Sequence, residues 1–137
     1  MTIEEKQQEI IDDFAIYDDW MDKYEYIIEL GKDLPIIEES KKTNDRLIEG
    51  CQSRVWVDAE FKNGQMLFTA DSDAIITKGI IALLVRVLNG ETPENIVKTD
   101  LHFIRAIGLQ EHLSPTRANG LLSMVKQLKM SALQVLK

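Results

Sequence analysis

The fold class of this 137-residue chain is decided by residues 54–70, which read RVWVDAEFKNGQMLFTA. Apolar and polar side chains alternate on both sides of Asn63-Gly64, the pair preferred in a tight type I′ turn. A two-residue turn places Lys62 opposite Gln65 and brings the apolar residues of both strands onto one face. An isolated hairpin is marginal in water, so helices or a third strand must cover that face, and segment 46–48 is the candidate strand. The predicted apolar pairs are Phe61 with Met66, Ala59 with Phe68, and Val57 with Ala70.

Helical periodicity continues on both sides of this hairpin. Thr2 and Glu5 have the spacing of a capping box, and the carboxylates of Asp71-Ser72-Asp73 predict a cap for an almost wholly apolar helix. The Thr92-Pro93 and Ser114-Pro115 pairs repeat a cap-then-proline signal for a helix start. We therefore predict an α+β fold in which helices cover a small antiparallel sheet. The predicted helices cover about 3–15, 19–31, 74–88, a short segment from 93, 101–107 and 115–133.

Composition limits the classes of protein to consider. The length fits one domain spanning 1–137, and 45% hydrophobic with 28% charged residues is typical of a globular protein. A net charge of −7 opposes binding to nucleic-acid phosphates. The longest apolar run, 79–85, is far below the roughly 20 residues of a membrane-spanning helix. Because residues 1–6 also lack the pattern of a secretory signal, we expect a cytoplasmic protein without a membrane partner.

The single cysteine, Cys51, lies just before the hairpin and follows a glycine. Gly50 permits a sharp turn that presents the thiol, and Arg46 and Arg54 would place positive charge nearby, which favours the reactive thiolate. The alternative is that Cys51 is a small structural residue. One cysteine excludes an internal disulfide, and His102 and His112 have no metal-ligand spacing, so we expect no metal site.

A series of short motifs surrounds this cysteine in a definite order: Asp19-Trp20 with Lys23-Tyr24, Ile27-Ile28-Glu29-Leu30-Gly31, Leu34-Pro35, Gly50-Cys51-Gln52-Ser53 with Val55-Trp56, Asp71-Ser72-Asp73-Ala74, Lys78-Gly79, Thr92-Pro93, and His112-Leu113-Ser114-Pro115 with Arg117, Gly120-Leu121 and Met124. Each motif alone is weak, but the ordered set is specific. Together the motifs resemble the SufE family of sulfur-acceptor proteins, which act with a cysteine desulfurase in iron–sulfur cluster assembly. They run from about residue 14 to the last helix.

The resemblance implies a SufE/IscU-like fold and roles for several of the motif residues. Cys51 would be the nucleophile that bears a transient persulfide, in a loop shaped by Gly50, Gln52 and Ser53. Asp73 and Arg117 match family positions expected near that loop. Their alternative roles are a helix cap for Asp73 and a surface carboxylate partner for Arg117.

The resemblance also implies partners. The sulfur donor would be a SufS-like cysteine desulfurase, which carries the pyridoxal phosphate and is stimulated when its persulfide is removed. The sulfur would then pass to a SufBCD-like scaffold complex. The chain itself would bind no cofactor, would be an accessory protein rather than an enzyme, and would be a monomer or homodimer. The relative CsdE, which serves another desulfurase, is not distinguished by these motifs.

Two rival functions are also compatible with the sequence. A thiol hydrolase or peroxidase needs a base beside Cys51, which His102 or His112 would have to supply. A non-covalent regulatory binding module would use the apolar segment 34–37 together with a structural Cys51. A sulfur carrier, by contrast, needs an apolar hollow that shelters the persulfide and a loop that can swing outward.

Overall fold

The computed structural model describes residues 1–137 and confirms the α+β class. The helix predicted over 101–107 is shorter than expected, and single 3-10 turns lie at Glu39–Lys41, Asn44–Arg46 and Gln110–His112. The helices and strands are α1 (Ile3–Ala15), α2 (Trp20–Gly31), β1 (Val55–Lys62), β2 (Gln65–Ser72), α3 (Ile75–Leu88), α4 (Pro93–Lys98), α5 (Phe103–Ala106) and α6 (Pro115–Leu136).

The hairpin has the predicted register, with Lys62 opposite Gln65 and every predicted apolar pair in place. Asn63 and Gly64 have φ values of 53° and 80°, the left-handed angles that a type I′ turn requires. The predicted third strand is wrong: the sheet has two strands, and segment 46–48 contributes only one antiparallel bridge, from Leu47 to Trp56. The 3-10 turn before Leu47 and the left-handed Gly50 after it leave too little extended chain for a strand.

Helix α3 is the centre of the core. It packs against α2 on one side and β2 on the other, and α6 packs against α3, α4 and β1. Gly79 lies where α3 crosses α2, because a Cβ at this position would be only 2.1 Å from the carbonyl oxygen of Ile27. The two helix backbones therefore approach closely, which fixes the position of the first turn of α3.

The predicted caps of Thr2, Thr92 and Ser114 are confirmed, each side chain accepting a hydrogen bond from the first turn of its helix. The predicted cap by Asp71-Ser72-Asp73 is wrong. Strand β2 continues to Ser72, and α3 begins after Ala74 with no side-chain cap. The Asp71 carboxylate binds lysines, and that of Asp73 binds backbone of the cysteine loop.

The long connection between α2 and β1 is held on the outer face of the hairpin by ion pairs. Lys42 lies 2.7 Å from Asp71, and Arg46 lies 2.9 Å from Asp58. Buried Ile37 anchors the same segment from within the core. The connection therefore reaches Cys51 in a fixed position. None of the helices has the length and apolar character needed to cross a membrane.

Candidate functional site

The loop that carries Cys51 is tied at both ends. On the upstream side, the Ile48 N–H donates to the Val55 carbonyl at 2.8 Å. On the downstream side, the Asp73 carboxylate accepts a hydrogen bond from the Arg54 N–H at 3.0 Å, and the Asp73 N–H donates to the Arg54 carbonyl at 3.3 Å. Residues 49–54 thus form a loop that is closed at its base by these hydrogen bonds.

Gly50 is required in this loop on two counts. Its φ of 89° lies in the left-handed region, where a side chain is strained. A Cβ at this position would also lie 2.5 Å from the Oγ of Ser123 on α6. Gly50 therefore sets the chain direction before Cys51 and lets the loop lie directly on α6.

The thiol of Cys51 is half-buried against α6, with Sγ 3.6 Å from the Gly120 carbonyl oxygen, the distance of a weak S–H···O hydrogen bond. Burial raises the pKa of Cys51 above its ordinary value. The expectation that Arg46 and Arg54 would favour the thiolate is wrong for this position of the loop. The Arg46 guanidinium is paired with Asp58, and no positive charge counteracts the effect of burial on the pKa of Cys51. Burial therefore disfavours the thiolate of Cys51 in this position.

A pocket of about 290 Å³ opens beside this thiol. The structure brings Gln52, Ser53 and Arg117 into its lining together with Cys51, whereas Asp73 holds the loop from its downstream end. The hollow expected to be apolar is instead mostly polar, because only three of its nine lining residues are hydrophobic. Its lining is completed by Thr77 and Ile80 of α3 and by Thr116, Gly120 and Met124 of α6.

Arg117 contributes positive charge to this pocket. Its backbone N–H is capped by Ser114 at 3.3 Å, which fixes it in the first turn of α6. Its guanidinium forms no salt bridge within the chain, unlike those of Arg46, Arg86 and Arg105. The alternative role of Arg117, pairing with a surface carboxylate of the chain, is therefore absent, and its guanidinium can meet an anion in the pocket.

Sequence reasoning missed Thr77, Gly120 and Ser123 as parts of the site, although Gly120 belongs to one of the motifs. Thr77 had a detectable signal, since it is the only hydroxyl in the apolar sequence of α3. Gly120 and Ser123 reach the cysteine loop only because α6, far downstream in the chain, folds back over it. Such convergence leaves no local trace in the sequence.

The two histidines lie outside the pocket. His102 pairs with Glu4 at 2.9 Å, and His112 stacks on Trp20 with ring centroids 4.1 Å apart. Neither lines the space beside Cys51, so the geometry offers no base for a thiol hydrolase. No cluster of three or more histidine, cysteine or carboxylate side chains could hold a metal ion.

Comparison with known proteins identifies the family and the fold. A family model described as "SufE: Fe-S metabolism associated domain" matches residues 8–132. The chain belongs to the SufE family. An uncharacterized SufE-like protein of Rhizobium meliloti is 42% identical over 131 residues, which are 90% of this chain and 92% of that protein. One from Rhizobium etli is 42% identical over 129 residues, covering 90% of this chain and 87% of the relative.

Two further similarities show how the SufE domain occurs elsewhere. SufE-like protein 1, chloroplastic/mitochondrial, of Arabidopsis thaliana is 40% identical over 95% of this chain, which corresponds to 35% of the plant protein. The solution structure of a hypothetical protein from Thermus thermophilus superposes with a TM-score of 0.79 at 22% identity, covering 96% of each chain. The fold is therefore shared with a solved structure, and the family is associated with iron–sulfur metabolism.

Proposed function

We propose that this protein is a covalent sulfur carrier in which Cys51 accepts sulfur from a cysteine desulfurase. The Cys51 thiolate attacks the outer sulfur of the donor's persulfide, the donor S–S bond breaks, and the donor cysteine leaves as a thiolate. A new S–S bond then joins the transferred sulfur to Cys51. The observation that carries the proposal is the placement of the single cysteine on a tied loop beside a polar pocket with room for another sulfur.

The resting geometry protects the thiol, and transfer requires it to move. Since burial raises the pKa of Cys51, ionisation is favoured when the loop swings toward the donor and the thiol meets solvent. Gly50, Gln52 and Ser53 shape the moving loop, and Asp73 holds its stem. Arg117 then supplies positive charge to the persulfide once the loop returns.

Membership of a family associated with iron–sulfur metabolism supports the choice of partners. The donor is a SufS-like desulfurase that holds the pyridoxal phosphate, and the acceptor is a SufBCD-like scaffold complex. The chain acts in the cytoplasm as an accessory protein with no cofactor of its own. By removing the persulfide, it accelerates turnover of the desulfurase, whose next cycle would otherwise wait for a small-molecule thiol.

Intact mass measurement tests the covalent step. The protein is mixed with the cysteine desulfurase of its own organism, cysteine and pyridoxal phosphate, and its mass is recorded before and after a thiol reductant. We expect a reductant-sensitive gain of about 32 Da, one sulfur, that is absent in Cys51→Ser. If the desulfurase turns over and the mass stays unchanged, the carrier function is excluded.

The second candidate is a non-covalent regulatory module, favoured by the half-buried thiol whose pKa is raised. In that function, Cys51 is structural and the surface alone stimulates the partner enzyme. The two functions differ in one variant: Cys51→Ser would still activate the desulfurase as a module, whereas activation disappears for a carrier. Alanine production by the desulfurase at fixed cysteine concentration measures the difference.

A further inference from the structure

Thr77 carries a hydroxyl that forms no hydrogen bond within the chain, although the residue is only 6% exposed. Helix hydroxyls commonly bond a carbonyl one turn earlier, as Ser131 does with Gln127 at 3.0 Å. No fully enclosed side-chain nitrogen or oxygen in the chain lacks a partner, so the Thr77 oxygen must face open space. The space that Thr77 lines is the Cys51 pocket. A hydroxyl with no partner in the chain is available to bond a group that enters this pocket.

The backbone around Thr77 is equally unsatisfied. Helix α3 has no side-chain cap, and its ladder of backbone bonds begins with the Lys78 N–H, which donates to the Ala74 carbonyl at 2.9 Å. The N–H groups of the first turn therefore stay unpaired, and the positive end of the helix dipole lies at the pocket. This end of the pocket is suited to an anion.

Space for one more atom lies next to the thiol. Gly120 faces Cys51 with hydrogen only, and a Cβ built there would lie 3.4 Å from Sγ. The bond that attaches a second sulfur to Sγ is about 2.05 Å long. The absent side chain at Gly120 leaves room for that sulfur to turn into the pocket, which Thr77 also lines.

We infer that Thr77 binds the outer sulfur of the Cys51 persulfide, its hydroxyl donating a hydrogen bond to that sulfur in the pocket between α3 and α6. The inference rests on the proposed carrier function. No covalent bond changes in this step: the hydroxyl keeps its proton, and the negatively charged sulfur accepts the hydrogen bond. Thr77 thereby stabilises the loaded state and slows attack by small thiols from solvent.

Two substitutions distinguish the effect of the Thr77 hydroxyl from the effect of the shape of its side chain. Thr77→Val keeps the branched shape and removes the hydroxyl, whereas Thr77→Ser keeps the hydroxyl and removes a methyl group. Thr69→Val, in strand β2 and outside the pocket, is the matched control. Each protein is loaded with sulfur by inorganic polysulfide as well as by the desulfurase, and loss of the extra sulfur to dilute glutathione is followed by intact mass.

We expect Thr77→Val to lose the sulfur about three to ten times faster than the wild type, a difference typical of the net contribution of one hydrogen bond. Thr77→Ser and Thr69→Val should keep the wild-type lifetime. Alkylation of the unloaded Cys51 thiol and the melting temperature should not change in Thr77→Val.

Three results would overturn the inference. The first is an unchanged lifetime in Thr77→Val. The second is an equally shortened lifetime in Thr77→Ser, which would assign the effect to packing. The third is a changed alkylation rate of the unloaded thiol, which would assign it to the loop. Failure of the wild type to gain sulfur from an active desulfurase would instead refute the proposed function.

Discussion

Asp73 and Arg54 exchange two hydrogen bonds at the end of the hairpin: the Asp73 carboxylate accepts from the Arg54 N–H at 3.0 Å, and the Arg54 carbonyl accepts from the Asp73 N–H at 3.3 Å. Only the first bond depends on a side chain. It joins the last residue of the cysteine loop to the short segment between β2 and α3. One carboxylate therefore controls how firmly the downstream end of the loop is held.

Replacing this carboxylate should free the loop. Asp73→Ala removes one hydrogen bond at an exposed site, worth about 1 kcal/mol, so we expect alkylation of Cys51 by iodoacetamide to rise by up to about fivefold. Asp73→Asn retains an oxygen that can accept the bond and should remain near the wild type. Asp18→Ala, an exposed carboxylate before α2, is the control for loss of charge. Equal alkylation of Asp73→Ala and wild type would show that the bond does not hold the loop.

The reactivity of Cys51 should depend on pH in a way that reports burial. Burial raises the pKa of the folded thiol, so the folded protein keeps its proton at a pH where the unfolded chain has lost it. The protonated Cys51 thiol therefore contributes to the stability of the folded protein. This contribution is fully present below the pKa that Cys51 has in the unfolded chain, and it is lost as the pH rises through the pKa that Cys51 has in the folded protein.

Alkylation rates measured against pH test this shift. We expect the midpoint for the native protein to lie above that of the same protein unfolded in urea, and Asp73→Ala to move the native midpoint downward. A native midpoint at or below the unfolded one would mean that positive charge, rather than burial, governs the thiol.

Features of the fold that depend on neighbouring residues could be predicted from the sequence. The hairpin register could be predicted because strict alternation and the Asn63-Gly64 turn act within a few residues. The caps at Thr2 and Ser114 could be predicted for the same reason. The presence of a loop at Cys51 also followed from its flanking residues.

The supporting residues of the site could not be predicted in the same way. Asp73 is a residue type that commonly caps helices. Its carboxylate accepts a hydrogen bond from the Arg54 N–H instead, because β2 continues to Ser72. Arg46 is close to Cys51 in sequence, but its guanidinium forms an ion pair with Asp58 of β1 and not with the thiol. Thr77 meets the pocket because α3 and α6 pack beside the loop, which is a property of the tertiary fold.

The crossing of α2 and α3 predicts a large stability effect. Gly79→Ala would place a methyl group 2.1 Å from the Ile27 carbonyl oxygen, so the helices must separate. We expect a loss of about 3 kcal/mol or more in the free energy of unfolding, or roughly 10 °C in melting temperature.

Gly31→Ala provides the control at the same crossing. Its Cβ would lie 3.2 Å from the Gly79 nitrogen, a contact that a small shift relieves, so the loss should be much smaller. Thermal unfolding followed by circular dichroism measures both variants. Similar losses for the two would contradict the close backbone approach at Gly79.

Contact between Gly50 and Ser123 should appear as coupling between two variants. Gly50→Ala carries the strain of a left-handed φ, about 1 kcal/mol, and also places its Cβ 2.5 Å from the Ser123 Oγ, which adds about 1 kcal/mol. Gly64→Ala has a similar φ of 80° with no atom within 4 Å, so it measures the strain alone. The difference between the two should therefore report the contact with α6.

Ser123→Ala removes the offending oxygen and should restore about 1 kcal/mol when combined with Gly50→Ala, while changing little on its own. Urea unfolding of the four proteins gives this coupling energy, and Cys51 alkylation shows whether the loop has moved. Because the strained backbone remains, the double variant should match Gly64→Ala rather than the wild type. Additive losses would mean that the loop does not lie on α6 at Ser123 and that the Cys51 pocket is built differently.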